Sequence, residues 1–183
     1  MNDFTSVTRL CGALVLGITA ATFLPACKRA ELSPPAEAPA AANVLPVLSV
    51  APFWQLTTLD GKPIGSDQLK GKVIVVDFWA TWCGPCVHEI PGYIALQKKY
   101  ADRGLVIVGI SVDQQGGEVV TKFVSSRGIN YPVALANPEI IAAFGGIESI
   151  PTTFLIDREG RLRHRKVGAM EPADYDALVA GLL

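Results

Sequence analysis

Beyond the first fifty residues, the most apolar segments of the chain are two runs of strand length. KVIVVDFWA (72–80) contains a single carboxylate, and GLVIVGISV (104–112) contains none. Runs that are apolar throughout, without polar alternation, are typical of strands covered on both faces of a sheet. Apolar residues at helical spacing follow each run. Strands that alternate with helices predict an α/β domain, with a central sheet flanked by helices on both faces.

Shorter signals complete this domain, which we place at residues 49–183. Runs around Asp60-Gly61 and around Glu159-Gly160 predict a β-hairpin near each end, so the sheet is expected to be mixed. The remaining predicted elements are helices in residues 85–100, GEVVTKFVSSRG, PEIIAAF and EPADYDALVAGLL, and a strand in YPVAL.

The first 27 residues have the pattern of an export signal. Arg9 precedes an uncharged, mostly apolar run from Leu10 to Ala26. At about 1.5 Å per residue this run gives roughly 25 Å of helix, less than the roughly 30 Å hydrocarbon core of a bilayer. A cleaved signal is therefore favoured over a membrane span, and it predicts a protein exported to the bacterial periplasm or cell envelope.

The run ends in LPAC, which resembles the lipobox of bacterial lipoproteins and makes Cys27 a candidate for lipidation. Pro25 departs from that pattern, so plain cleavage and a retained anchor stay open as alternatives. Residues 28–48 are rich in Ala and Pro and predict a tether that would hold the domain away from a membrane. An unstructured leader is an equally physical interpretation.

The charge balance argues against a nucleic-acid partner. The 183 residues have a formal net charge of −1, whereas nucleic-acid-binding domains are usually clearly basic. Half of the residues are hydrophobic, which is enough for an ordinary core.

Of the four cysteines, only Cys83 and Cys86 lie in the predicted domain. The pair supplies two of the four ligands of a zinc site, and no second pair exists, so no metal is expected. Covalent haem requires CxxCH, but position 87 is Val and the histidine is His88. A structural disulfide across three residues would add little stability, because the loop it closes is very small. Redox chemistry is the remaining interpretation.

The predicted strand ends near Ala80 and the helix begins near Cys83. The Cys83 sulfur is therefore expected beside unpaired N–H groups and the positive end of a helix dipole, which favour a thiolate nucleophile. Cys86, one turn further, would be the less exposed, resolving cysteine. Asp77 is the candidate proton acceptor, because burial raises the pKa of a carboxyl group. The alternative for Asp77 is an acid solvated at the edge of the sheet.

These residues resemble a known family. VVDFWATWCGPC resembles the active-site segment of thioredoxin, and IESIPTTFLIDREGRL resembles its second signature, with Pro151 at the position of the cis-proline. The hairpin before the first motif, CVHEIP, and the added helix and strand between Gly116 and Leu135 resemble the exported TlpA/ResA-like thioredoxins. The resemblance implies a thioredoxin fold with an N-terminal hairpin and a helix–strand insertion.

The resemblance also implies a substrate groove. The Ile150-Pro151 bond should be cis, which leaves the Ile150 backbone free to pair with a substrate. The other residues expected to form the groove are Trp82, Gly84, Pro85 and Gly168. Core packing for Trp82 and a strand-end turn for Gly168 are the alternatives.

Two departures from thioredoxin concern the buried acid. Gly109 stands where thioredoxin has a lysine facing that acid, and many TlpA/ResA-like proteins have another residue in place of Asp77. We interpret Glu89 as a carboxylate on the helix surface, His88 as solvated, and RLRHRK (161–166) as protection of an outer strand.

The expected function is thiol–disulfide exchange with protein substrates, with the Cys83–Cys86 disulfide as the only redox group and no other cofactor. Gly84-Pro85 and Ile150 favour a reductase fed by a membrane electron donor, and the resemblance extends to cytochrome c maturation. A peroxiredoxin-like thiol peroxidase and a non-catalytic, tethered binding module are the alternatives.

Overall fold

The computed structural model describes residues 45–183. Its helices are α1 (Gly84–Tyr100), α2 (Gly117–Arg127), α3 (Pro138–Ala143) and α4 (Pro172–Ala180), and a single 3-10 turn, Ala101–Arg103, follows α1. Its strands are β1 (Ser49–Val50), β2 (Gln55–Thr57), β3 (Pro63–Gly65), β4 (Val73–Trp79), β5 (Leu105–Ser111), β6 (Val133–Leu135), β7 (Thr152–Ile156) and β8 (Arg161–Val167).

Six of these strands form one mixed sheet in the order β1-β8-β7-β4-β5-β6. The central strand β4 pairs in parallel with β5 and antiparallel with β7. The β2–β3 hairpin forms a separate two-stranded sheet. The predicted α/β class, the mixed sheet and both predicted hairpins are confirmed.

Both faces of β4 are buried, which explains its continuous apolar sequence. Val73, Val75 and Trp79 face one core cluster, which includes residues of α1 and α4. Ile74, Val76 and Phe78 face a second cluster, which includes residues of the hairpin and of α3. Each fully buried side chain of this size contributes about 1.5–3 kcal/mol, so β4 is rigidly held where it ends beside the cysteines.

The edge of the sheet differs from our expectation. Ser49 and Val50 form β1, a strand that no pattern in the sequence predicts, and Ser49 pairs with Leu162 of β8. β1 therefore covers only the first two residues of the basic strand, Arg161 and Leu162, and for the rest of the strand the interpretation of its charges as edge protection stays a prediction. Arg163 points inward and is buried.

Residues 45–48, which we assigned to the tether, lie along β8. The guanidinium of Arg163 donates hydrogen bonds to the carbonyl groups of Leu45 and Pro46, and Leu48 N donates to Leu162 O at 2.8 Å. The predicted signal, the lipidation candidate Cys27 and the rest of the tether lie outside the described residues. Within residues 45–183, no helix has the length and apolar character needed to cross a bilayer.

Candidate active site

The two cysteines lie where β4 ends and α1 begins. Cys83 is the N-cap of α1, Cys86 is in its first turn, and they form a disulfide with their Cα atoms 5.3 Å apart. Cys86 N donates a hydrogen bond to Cys83 Sγ at 3.3 Å, so one of the unpaired donors of the helix N-terminus points at this sulfur. The predicted location of Cys83 at a helix N-terminus is confirmed.

The cysteines lie below an exposed surface. Cys83 is 6% exposed and Cys86 2%, whereas Trp82 is 65% exposed. Gly84 and Pro85 are exposed as well. A partner that reaches Cys83 must therefore approach over this segment, and the indole of Trp82 is presented to solvent instead of packing in the core.

The residues of the predicted groove come from two further segments. The Ile150-Pro151 peptide bond is cis, as the resemblance implied, and it directly precedes β7. Gly168, at the end of β8, donates its N–H to Pro151 O at 2.8 Å. Because β7 is antiparallel to β4, the first residues of β7 lie beside the last residues of β4. The cis-proline and the cysteines are therefore at the same end of the strands.

Asp77 is buried at the centre of the sheet, not solvated at its edge. It pairs with Gly109 of β5 on one side and with Thr153 of β7 on the other, and it is 3% exposed. Burial and the negative charge of Glu89 raise the pKa of Asp77 to about 8, and a hydrogen bond from Thr153 Oγ1 at 3.2 Å opposes this shift. Its carboxyl group is therefore protonated over much of the physiological range.

Thr153 connects Asp77 to two buried tyrosines. Its Oγ1 accepts the Tyr175 hydroxyl at 2.9 Å and lies 3.1 Å from the Tyr93 hydroxyl. Burial raises the pKa of both tyrosines, so both are neutral and able to donate. Hydrogen bonds that follow one another in this way polarise each other and hold the acid in one orientation.

Glu89 was misjudged from the sequence, because it is buried and not on the helix surface. It is 3% exposed, and its Oε1 accepts the N–H of Met170 at 2.7 Å. Its Oε2 has no hydrogen-bond partner among the described residues, and burial raises its pKa. The helical spacing of Cys86, Glu89 and Tyr93 was the available signal, because it places all three on the inner face of α1.

The position of the thioredoxin lysine is tightly packed, so a side chain there would require its neighbours to shift. A Cβ atom at Gly109 would lie 3.0 Å from Trp79 Nε1 and 3.4 Å from Tyr131 Cε2. The Trp79 indole, which has no hydrogen-bond partner among the described residues, fills this space. Asp77 therefore lacks the cation that would lower its pKa.

The described residues contain no group of three or more His, Cys, Asp or Glu side chains that could hold a metal ion. The chemistry that the arrangement offers is that of the sulfur pair and the acid behind it.

Three comparisons agree with this geometry. The Redoxin family matches residues 35–179. The thiol-disulfide oxidoreductase ResA of Bacillus subtilis (strain 168) is 37% identical over 135 residues, covering 72% of this chain and 74% of the relative, and ResA of Bacillus anthracis is 36% identical over 118 residues, covering 64% and 68%. The crystal structure of a thiol:disulfide interchange protein of the thioredoxin family from Chlorobium tepidum TLS has a TM-score of 0.69 and 43% identity, covering 73% of this chain and 95% of that one.

The sheet order, the disulfide at a helix N-terminus and the neighbouring cis-proline define a thiol–disulfide oxidoreductase of thioredoxin fold. The chain belongs to the Redoxin family, and within the thioredoxin superfamily it is TlpA/ResA-like. Protein dithiols and disulfides are the substrate class that this membership implies.

Proposed function

We propose that the protein is a reductase of protein disulfides in the bacterial cell envelope, with Cys83 as the nucleophile, Cys86 as the resolving cysteine and Asp77 as the proton acceptor. The observation that carries this proposal is the N-cap position of Cys83, whose sulfur accepts the Cys86 N–H. That contact and the helix dipole stabilise a thiolate at Cys83.

The proposed reaction begins with the reduced pair. The Cys83 thiolate attacks one sulfur of a substrate disulfide, which forms a mixed disulfide and releases the other substrate sulfur as a thiolate. The ionised form of Asp77, roughly a tenth of the molecules at pH 7 for a pKa of about 8, accepts the proton of Cys86. Cys86 then attacks Cys83 Sγ, which releases the second substrate thiolate. Two electrons have passed from the protein to the substrate, and the protein is left with the Cys83–Cys86 disulfide.

Asp77 suits the proton transfer because of its pKa. A buried carboxyl group with a pKa of about 8 is close to the ordinary thiol value of about 8.5, so the proton moves between groups of similar affinity. In the reverse direction, protonated Asp77 would return the proton to the departing Cys86 thiolate.

The substrate is proposed to lie as an extended segment across the surface above the dithiol. Trp82, Gly84 and Pro85 supply one side of this groove, and the exposed fraction of Trp82 supports a contact role. The other side is the Ile150 backbone beside Pro151, which Gly168 holds through its N–H. Recognition of this kind uses main-chain hydrogen bonds and is tolerant of substrate sequence.

The direction of electron flow and the cellular setting form the finer part of the proposal. Gly84-Pro85 between the cysteines favours the reducing direction, and a membrane donor would then return electrons to the pair. We also propose that residues 1–27 direct export, that Cys27 is lipidated, and that the protein acts in cytochrome c maturation. The similarity to ResA proteins supports this setting.

Cysteine variants test the chemistry. Cys83→Ser should abolish the reduction of insulin disulfides, and Cys86→Ser should accumulate mixed disulfides that are visible by mass spectrometry. Cys27→Ser is the matched control and should keep full activity. Equal activity of the Cys83 and Cys86 variants would refute the proposal, and rapid hydrogen peroxide consumption that requires Cys83 would favour a peroxidase.

The reduction potential tests the direction. Equilibration of the Cys83/Cys86 couple with glutathione should give a value nearer that of thioredoxin, about −270 mV, than that of a strong oxidant such as DsbA, about −120 mV. A value at the oxidising end would reverse the proposed direction. The mass of the peptide that contains Cys27, isolated from membrane fractions of the native host, reports whether Cys27 is lipidated.

A further inference from the structure

A second buried aspartate, Asp113, lies two residues beyond the end of β5 and is 8% exposed. Its carboxylate accepts three hydrogen bonds. Two come from Thr81, from its backbone N–H at 2.9 Å and from its hydroxyl at 2.6 Å, and the third comes from the Ser111 hydroxyl at 2.8 Å. The mechanism proposed above assigns no role to this group.

Thr81 lies in the segment that joins β4 to α1, two residues before Cys83. Backbone hydrogen bonds fix the two ends of this segment, from Val112 N to Trp79 O at 2.8 Å and from Cys83 N to Ala80 O at 3.1 Å. Asp113 accepts both donors of Thr81, so it fixes the backbone and the side chain of the residue between these ends.

Asp113 is itself held in place. Its own N–H donates to Ser111 Oγ at 3.1 Å while that hydroxyl donates back to the carboxylate, so a closed ring forms at the end of β5. Ser111 is 1% exposed and belongs to a strand that pairs along its length with β4. The acceptor for Thr81 is therefore positioned before any substrate arrives.

We propose that Asp113 and Thr81 form a clamp that positions Cys83 at the N-terminus of α1, and that Asp113 is thereby a positioning residue for disulfide exchange. The inference rests on the proposed role of Cys83 as the nucleophile. The Cys86 N–H reaches Cys83 Sγ at 3.3 Å only while the segment before the helix keeps its conformation. Without the clamp, Trp82 and Cys83 gain freedom and the thiolate loses part of its stabilisation.

The clamp also explains what the Thr81 hydroxyl does. A hydroxyl near a reactive cysteine could instead assist a peroxide substrate. Here the Thr81 hydroxyl donates its proton to Asp113 Oδ1, so it is not available to donate to a substrate.

Replacement of Thr81 tests the clamp. Thr81→Val keeps the shape and the backbone N–H but removes the hydroxyl, and Thr81→Ser restores it. The readout is the pH profile of iodoacetamide alkylation of Cys83 in the reduced full chain, followed on the Cys83 peptide by mass spectrometry. Thr81→Val should raise the alkylation pKa by about one unit, which for a thiol with a pKa near 7 lowers the thiolate fraction at pH 7, and with it the rate of insulin reduction, by up to about fivefold; Thr81→Ser should restore both.

Thr121→Val is the matched control, because its hydroxyl donates at 2.7 Å to Gly117 O within α2, away from the dithiol. It should leave the alkylation profile unchanged. Asp77, the proposed proton acceptor, and the buried Glu89 are unchanged in all these variants, so differences between the profiles report the clamp.

A wild-type alkylation profile for Thr81→Val would overturn the inference, even if that variant were less stable. If Thr81→Val does not fold, Asp113→Asn carries the same test, because an amide cannot accept all three donors. The alkylation profile does not depend on turnover. Failure of the proposed function, seen as activity that survives Cys83→Ser, is therefore distinguishable from failure of the clamp.

Discussion

Asp77 and Asp157 have the same exposed fraction, 3%, but their pKa values move in opposite directions. Burial raises the pKa of both. For Asp77, the nearby Glu89 charge adds to this effect and only the Thr153 hydroxyl opposes it. For Asp157, hydrogen bonds from two arginines outweigh burial and lower the pKa.

The pKa values of the two acids differ because of their hydrogen-bonding partners, not because of their depth of burial. Asp157 Oδ2 accepts Arg163 Nη1 and Arg161 Nε, each at 2.8 Å, because the β7–β8 turn brings these side chains back over the acid. Asp77 pairs with Gly109, which supplies no cation and where an added Cβ atom would lie only 3.0 Å from Trp79 Nε1. The chain therefore has one acid that holds two strands together as a carboxylate. The other stays protonated near neutral pH and lies on the face of β4 whose Val75 and Trp79 share a core cluster with Cys83 and Cys86.

The largest effect is expected from removal of the cation at the paired site. Arg163→Met leaves the buried Asp157 with a single cationic partner, the half-exposed Arg161, beside the backbone N–H groups of Glu159 and Arg161, and it also removes the donor to Leu45 and Pro46. Breaking a buried pair in this way costs about 3–5 kcal/mol of unfolding free energy. Urea unfolding at pH 7 measures the loss.

Arg161→Met is the control for that variant, because it removes the more exposed of the two partners. Its loss should be clearly smaller than that of Arg163→Met. Equal losses of unfolding free energy in the two variants would show that the buried Arg163 stabilises Asp157 no more than the exposed Arg161 does. The contrast between Asp157 and Asp77 would then not depend on a buried cation.

The pH dependence of stability comes next in size. In the window from the ordinary value of 3.8 to about 8, Asp77 is protonated in the folded protein and ionised in the unfolded chain. Folding therefore takes up a proton there, and the unfolding free energy falls by about 1.4 kcal/mol per pH unit as pH rises, roughly 3 kcal/mol from pH 5 to 7. Asp77→Asn should remove this slope in urea unfolding at pH 5, 6 and 7.

Asp157→Asn provides the opposite case. The pKa of Asp157 is lowered, so its contribution to stability is present above the ordinary carboxyl value and is lost only as pH falls below about 4. The variant should be less stable than the wild type, with the same slope between pH 5 and 7. Parallel curves for wild type and Asp77→Asn would mean that Asp77 ionises like an exposed acid.

Much of the site could be predicted because its signals are local. The apolar run that ends at Ala80, the helix that starts beside Cys83 and the Ile150-Pro151 signature each occupy a few consecutive residues. The central position of Asp77 follows from the same signal, because a strand that is apolar on both faces must have neighbouring strands on both sides.

The parts that could not be predicted depend on contacts between distant residues. Glu89 is buried because the N–H of Met170, 81 residues later, meets it. Thr81 and Asp113 are 32 residues apart, and β1 pairs with a strand more than 110 residues away. No periodicity reports such pairings, and only the assembled sheet reveals which polar groups meet.

The smallest effect is expected at the hydroxyl that opposes the shift of Asp77. Thr153→Val removes the hydrogen bond to Asp77 Oδ1, so the pKa of Asp77 should rise further, by less than about one unit, since such a bond is worth about 1 kcal/mol. An NMR titration of the Asp77 carboxyl carbon measures the midpoint. Thr153→Ser keeps the hydroxyl and should keep the wild-type value. If the valine variant titrates at the same pH as wild type, burial and the Glu89 charge alone set the protonation of the acid behind the cysteines.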